Sequence, residues 1–307
     1  VRTVVCHFFN EEYLLPWWLA HHREIFDHGI MIDYASTDAS RSIIRRYCPS
    51  WEIHPSRNKY FDSAEIDREV EDFESRCTSW RMALNVTEFL YGNFNQLDGI
   101  MQPKQHFIGN YVFIDPMDGR KFSYDLPLHD QISFGYHEND PASVAKLHFG
   151  MRASRSLHNF GLGYPKNGGR HWHQRPTLKD LAIFYYGYAV MNEQSLQRKL
   201  QIKSKMSPQE RKKRGSKHPN TLTRNRLLDN IENHHRPRCS DMTATVATFA
   251  KFHRYDAFCR PADSSFIMPA EAAPQKRRKM PARSALPASA AVQALREPAA
   301  SDPPARS

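Results

Sequence analysis

Apolar and polar positions alternate in blocks along the first ninety residues. Thr3 to Phe9 is a β-favouring run without a turn residue, which predicts a central strand, and Asn10-Glu11-Glu12 closes it. Tyr13 to Phe26 carries apolar residues at near-helical spacing, with Pro16 where only a first helical turn tolerates it. Gly29 ends that helix, and Ile30-Met31-Ile32 leads a second strand into Asp33. Tyr34 to Ser40 is small and polar, with Ser36 or Asp38 suited to cap a helix over Ala39 to Tyr47. Pro49 stops it, Trp51 to His54 reads as a brief third strand, and a polar loop follows through Asn58. Asp62 to Ser79 is charged and periodic, with Ile66, Val70 and Phe73 on one helical face. A fourth strand then enters Trp80 to Leu90, where an apolar run breaks into Asn85-Val86-Thr87-Glu88 before bulky apolar residues return.

Strands alternating with helices at this spacing predict an α/β fold with a parallel sheet wound through right-handed crossovers. Ligands of such sheets gather at the carboxyl ends of the strands. Those ends are Asn10 to Glu12, Asp33 to Asp38, His54 to Asn58 and Asn85 to Glu88, all polar, as one shared crevice requires.

The second half is less regular. Tyr111 to Ile114 predicts a strand, Pro116 to Gly119 a turn and Lys121 to Tyr124 a return strand. Gly161 to Gly169 is loop-rich, and Leu178 to Tyr188 is an apolar, aromatic strand candidate, with Phe184, Tyr185, Tyr186 and Tyr188 read as core. Asn192 to Met206 reads as a basic amphipathic helix and Pro208 to Arg214 as a short one. From about Pro261 the chain turns to Ala, Pro, Ser and Arg with few large apolar residues, which predicts disorder. The expected organisation is therefore a main α/β domain over 1–190, a basic helical extension over 191–260 and a disordered tail over 261–307.

Charge is unevenly spread. The formal net charge is +10, but Arg198 to Lys217 alone holds nine Lys or Arg against one Glu, and Ala270 to Ser307 holds seven against three. The rest of the chain is close to neutral. Five cysteines (Cys6, Cys48, Cys77, Cys239, Cys259) without a Cys-x-x-Cys pair predict buried free thiols in a reducing cytoplasm, not a zinc site or a disulfide framework. No apolar run approaches the roughly 20 residues of a membrane span, and no signal peptide is visible. The sequence starts at Val1, not Met, so the second observation carries little weight.

Three segments in order carry a family resemblance: Phe9-Asn10-Glu11-Glu12-Tyr13 through Leu19, Asp33-Tyr34-Ala35-Ser36-Thr37-Asp38, and Trp80 through Leu90. Together they resemble the family 2-like glycosyltransferases of the GT-A fold, which show a strand ending in Asn-Glu-Glu, an Asp-x-x-Ser-x-Asp turn and a Trp followed by Asp-x-Asp-Glu-Phe. Here Asn85 and Thr87 stand in place of the two Asp, similar to a bacterial subgroup with Asn-x-Thr-Glu-Phe. The resemblance implies a GT-A-like, Rossmann-like sheet and a crevice for a nucleoside diphosphate sugar. Asp33 would accept from nucleobase or ribose, Asn10 and Glu12 would lie beside the nucleoside, and Asp38 would order the turn. Asn85, Thr87 and Arg170 would complete the donor site, with Glu88 catalytic or holding a divalent cation (Mn or Mg).

Glycosyl transfer needs the diphosphate neutralised, by a metal or by Lys and Arg, and an inverting enzyme needs a carboxylate to deprotonate the acceptor hydroxyl. With two carboxylates missing from the acidic motif, a hard cation should bind more weakly. His171 and His173, two apart, would share one side of a strand, and His173 could supply a late metal ligand. Arg170, Arg175, Arg152 and Arg155 could bind phosphate oxygens instead. The general base is open among Asp115, Asp118, Asp130 and Glu138, with Asp130, like Glu88, a catalytic candidate.

Each of these residues also has an ordinary structural reading. Glu88 could cap or salt-bridge its neighbours, Asp33 and Asp38 could be turn and cap residues, and the His pair could be structural or face solvent. Of the adjacent Trp17 and Trp18, one should be buried and the other partly exposed. The favoured expectation is an inverting glycosyltransferase acting from a nucleotide sugar on a glycan or lipid-linked acceptor. Its rivals are a non-catalytic nucleotide-sugar or glycan binder of the same fold and a basic nucleic-acid-binding protein. The last lacks a recognisable nucleic-acid motif, and the basic segment 198–217 suits the anionic inner face of a membrane equally well.

Overall fold

The computed structural model describes residues 1–97, 105–138, 154–158, 171–172, 178–214, 223–253 and 255. Arg170, His173, Cys259 and the tail over 261–307 lie outside the described residues, and of His171 only the backbone is described.

The first four strands follow the alternating blocks: β1 (Arg2–Phe8), β2 (His28–Asp33), β3 (Glu52–Pro55) and β4 (Trp80–Asn85). They lie side by side in the order β3-β2-β1-β4, all parallel. The order reverses at β1, because β2 and β3 build outward on one side and β4 returns to the other. That reversal opens a crevice at the carboxyl tips of β1 and its neighbours.

Helices α1 (Leu15–His22), α2 (Ser40–Tyr47) and α3 (Ser63–Glu74) make the crossovers. The period-2 pattern of β1 sorts its side chains between faces. Val4, Cys6 and Phe8 join Met31, Met82, Leu84 and the apolar residues of α1 and α2 in the main core. Val5 turns the other way with Ile30, Ile32 and Ala83, against Val70 of α3. Asp62 caps α3 by accepting from the amides of Ala64 and Glu65, and Ile66 and Val70 are buried as the periodicity predicts.

Every residue of α1 is buried, so Trp17 (2% exposed) and Trp18 (0%) are both core, against the expectation that adjacent tryptophans divide between core and solvent. Trp17 is covered by Tyr124, with ring centroids 4.1 Å apart, and its indole N–H donates to the carbonyls of Ser123 and Leu126. The stretch Lys121 to Tyr124 that covers it is irregular, not the expected return strand, and Gln131 supplies both donor and acceptor to Ser123.

Beyond β4 the sheet becomes mixed. β5 (Glu88–Gly92) runs antiparallel to β10 (Leu181–Tyr188), which pairs in parallel with β6 (Gln105–Ile114). β7 (Phe134–His137), β8 (Ser154–His158), β9 (His171–Trp172) and β11 (Ser240–Asp241) complete one sheet of eleven strands among the described residues. Phe184, Tyr186 and Phe89 pack with Trp18 and Leu84 in the main core, as read for the aromatic strand. Four further helices follow: α4 (Leu128–Gln131), α5 (Glu193–Lys205), α6 (Pro208–Arg214) and α7 (Arg224–Asn230), with α8 (Thr243–Ala250) against β5. Among the described residues no helix is long and apolar enough to cross a membrane.

Candidate functional site

Strand register brings three of the four polar tips together. Phe8 stands beside Asp33, and His7 beside Asn85, so the ends of β2, β1 and β4 form one rim. The loops after β1 and β2 are then laced to each other. The amide of Asn10 donates to Ser36 Oγ (3.0 Å), and the Asn10 side chain accepts from the amide of Thr37 (2.8 Å). The amide of Glu12 donates to Asp38 Oδ2 (3.0 Å), and the Glu12 carboxylate accepts from the amide of Ala39 (2.8 Å). Glu12 thereby caps α2 from a neighbouring loop, alongside Asp38, which accepts from the amide of Ser40 (3.0 Å). Asn10 and Ala35 both hold positive φ (50° and 55°). Asn tolerates this region, but Ala pays for its Cβ, so the second loop carries strain at the rim.

Asp33 is buried, accepts from the amide of Ser36 (2.9 Å) and forms an ion pair with Arg41 (2.8 Å). A carboxylate has lone pairs to spare after two such bonds. A matching network sits at the tip of β3. There buried Glu69, from α3, accepts from Ser56 Oγ (2.7 Å), the amide of Arg57 (2.6 Å) and the side chain of Asn58 (2.9 Å).

Helix α5, expected as part of a separate basic extension, lies across these tips. Asn192 caps it in a capping box with Ser195. Gln194 donates to the Glu12 carboxylate, Arg198 pairs with Glu11 and donates to the Phe9 carbonyl (3.1 Å), and Gln201 Oε1 accepts from Asn10 (2.8 Å). Lys205 stands 4.9 Å from the Phe9 ring and 5.8 Å from that of Tyr34. Residues 194, 198, 201 and 205 recur every three or four positions, so they make one polar stripe on the helix. The stripe is written in the sequence as the spacing of Gln194, Arg198, Gln201 and Lys205. Ile202 packs beside it on Phe9 and Tyr34.

The electrostatics follow from this burial. Glu11 is 3% exposed, and burial pushes its carboxyl upward despite the opposing pull of Arg198 and Lys199. Burial also lowers the Lys199 ammonium to about 8, helped by Arg198 and opposed by Glu11. Lys199 is half-buried, with its Nζ 4.9 Å from the Tyr188 ring.

Glu88 begins β5 after the tight turn through Val86 and Thr87. Its carboxylate accepts from the amide (2.8 Å) and the side chain (3.2 Å) of Asn85, while the Trp18 indole donates to the carbonyls of both residues (3.1 and 2.9 Å). The Thr87 carbonyl accepts from the amide of Tyr186 (2.7 Å). Asn85 in place of an aspartate thus donates where a carboxylate would repel Glu88. Glu88 is 4% exposed, and a Gln there would turn an NH₂ toward the donors of Asn85. Glu88→Gln is therefore expected to lower unfolding free energy by about 1–3 kcal/mol, read by urea titration, instead of leaving the fold untouched. Unchanged stability would remove the turn-closing role.

Among the described residues no group of three His, Cys, Asp or Glu side chains is placed to hold a metal ion. Of the two residues expected to hold a divalent cation, Glu88 accepts from Asn85 through both oxygens, and His173 lies outside the described residues. The four candidate bases come from three further segments: Asp115 and Asp118 after β6, Asp130 on α4 and Glu138 after β7. Asp130 is exposed on α4 beside His129 (3.5 Å), whose ring bonds the Tyr91 hydroxyl (3.0 Å). Asp115, at the tip of β6, is buried, accepts from the amides of Met117 (2.7 Å) and Met191 (3.0 Å), and is pushed upward by burial. Asp118 pairs with Arg120, and Glu138 accepts from Asn110.

No family model matches the chain, and no curated protein matches it. Among solved structures, Staphylococcus aureus TarS 1-349 shows 12% identity over 40% of this chain and 38% of that one, with a TM-score of 0.27. The same fragment in complex with UDP-GlcNAc gives 12% identity, 40% and 37% coverage and a TM-score of 0.26. A further structure of S. aureus TarS gives 10% identity over 76% of this chain and 43% of that one, with a TM-score of 0.32. The chain therefore spans about two fifths of the length of these structures, and likeness at this level assigns neither fold family nor activity.

Proposed function

We propose that the chain binds a nucleoside diphosphate sugar at the tips of β1, β2 and β4 and transfers the sugar to a hydroxyl acceptor, a glycan or a lipid-linked one. The observation that supports this most is the register of the rim. Asn10, Asp33 and Asn85 come from three separate segments of the resemblance, and the fold sets their strands side by side at the reversal of strand order. Parallel α/β sheets place nucleotides at that position.

In this proposal Asp33 receives the nucleobase or ribose, and Asn10, Glu12 and Asp38 hold the two loops in shape around it. The diphosphate is met by cationic side chains, with Arg41, Lys199 and Lys205 at hand around the rim. Asn85, Thr87 and Glu88 form the floor at β4, where Glu88 orients Asn85, and the acceptor base stays unassigned. No metal step is included.

Isothermal calorimetry against UDP-, GDP- and dTDP-sugars, in EDTA and in Mn²⁺, tests the proposal. Binding of one donor that survives EDTA is expected, with about tenfold weakening in Lys205→Ala if that ammonium meets the diphosphate. Failure of every nucleotide to bind would overturn it. Binding without sugar release or transfer to any acceptor would favour the non-catalytic reading, which Asn85 and Thr87 motivate.

A further inference from the structure

The tip of β3 and the end of α5 are joined in a way the sequence does not announce. The amide of Phe61 donates to the carbonyl of Lys205 (2.6 Å), the amide of Ser207 donates to the carbonyl of Phe61 (3.1 Å), and Phe61 and Met206 form a parallel bridge. Two distant segments thereby share one edge. On it Lys59 and Tyr60 are exposed, Tyr60 by 49%, with the Lys59 Nζ 5.4 Å from the Tyr60 ring. Lys203 is exposed in the last turn of α5, and Arg211 and Lys212 are exposed on α6, with Arg211 reaching back to the Ser204 carbonyl (3.4 Å). Arg57 is paired with Asp72, and Arg198 and Lys205 face the rim, so none of these three counts toward the edge.

We propose that this edge, Lys59, Tyr60, Lys203, Arg211 and Lys212, docks on an anionic lipid bilayer. Lysines around a half-exposed tyrosine match a headgroup layer, where the ring sits at the interface and the ammonium groups meet lipid phosphates. Base-stacking platforms on single-stranded nucleic acid present successive aromatic rings, whereas Tyr60 is a single ring here. Phe252 is the only other exposed aromatic among the described residues, and it belongs to the segment after α8. Docking there would bring the rim beside α5 close to a membrane-borne acceptor, but the contact itself needs no donor.

Sedimentation of the full chain with vesicles of phosphatidylcholine containing 30% phosphatidylglycerol tests this. Binding is expected at 0.1 M salt, with loss in 0.5 M salt and none to phosphatidylcholine alone. Lys59→Ala with Lys212→Ala should weaken it about 25-fold, at roughly fivefold per cation, and Tyr60→Ala should weaken it further. Lys179→Ala, exposed at the opposite end of β10, should leave it unchanged. Absent binding, or binding indifferent to the double variant, overturns the proposal, as does tighter binding to single-stranded DNA than to vesicles at equal phosphate concentration. Calorimetry with nucleotide sugars on the same variants keeps the failure of either proposal separate from the other.

Discussion

Acidification from pH 7 to 4 is expected to strip stability from this fold through five histidines, two buried (His21, His22) and three partly buried (His129, His235, His253). Burial lowers His22 to about 3 and His235 and His253 to about 4, holds His21 well below its ordinary value, and lowers His129 against the pull of Asp130. The hydrogen bonds give the same answer independently. His22 Nε2 accepts from the amide of Leu90 (3.2 Å) while its Nδ1 faces the Trp18 carbonyl (2.9 Å), and His253 Nε2 accepts from the amide of Gly92 (3.2 Å). A protonated ring can only donate, so charging either ring breaks a bond that holds β5. Above the unfolded value near 6.5 all five are neutral in both states and the linkage vanishes. Below it the unfolded chain takes up protons that the fold refuses, so stability falls as pH falls, by up to about 1.4 kcal/mol per pH unit for each histidine. The contributions of His235 and His253 level off near pH 4, where their folded values are reached, while those of His22 and His21 keep growing below it. Urea titrations at half-unit intervals measure the slope, and stability that stays flat from pH 7 to 4.5 would refute the account.

The second large effect is expected at Arg198. Arg198→Met leaves the Glu11 carboxylate buried with only Lys199 to offset it, and removing one partner of a buried pair costs about 3–5 kcal/mol. Lys199 places the expected loss at the lower end of that range. Glu11→Gln in the same chain should recover most of it, since the buried charge is then gone. If the single variant unfolds at the same urea concentration as the parent, the helix does not hold the β1 tip through this pair. Nucleotide binding should weaken in Arg198→Met and return only in part in the double variant, because the buried charge is gone but the Phe9 carbonyl still lacks the Arg198 donor.

Local patterns carried most of the first ninety residues. The switch from strand-like runs to helical spacing and the polar tips were legible because each is written within about ten residues. The helix from Asn192 and the strand through Phe184 were legible for the same reason. Contacts between distant segments were not. Trp17 and Trp18 are both buried because an irregular loop a hundred residues later covers one of them, and nothing near Trp17 encodes that. Lys121 to Tyr124 has strand-like composition but spends its polar groups on Gln131 and Trp17, so it joins no ladder. At the candidate site the polar tips are legible as strand ends, and the register of β1, β2 and β4 sets them side by side, while the role of Gln194, Arg198 and Gln201 as their partners depends on contacts across 182 to 191 residues. Glu69 is one acid among many on α3 in the sequence, and only the fold shows that its buried carboxylate receives three donors and organises the β3 tip.

The lacing of Asn10 to Gln201 has a consequence for biosynthesis. The strands and crossover helices through β4 leave the ribosome long before α5 exists, with the polar groups of the β1 loop still open to water. Only when the chain has grown past residue 205 can the stripe on α5 engage Glu12, Glu11 and Asn10. The crevice is thus finished late, by a segment made after the sheet that frames it. A nascent chain halted before that point would display the rim without its cover.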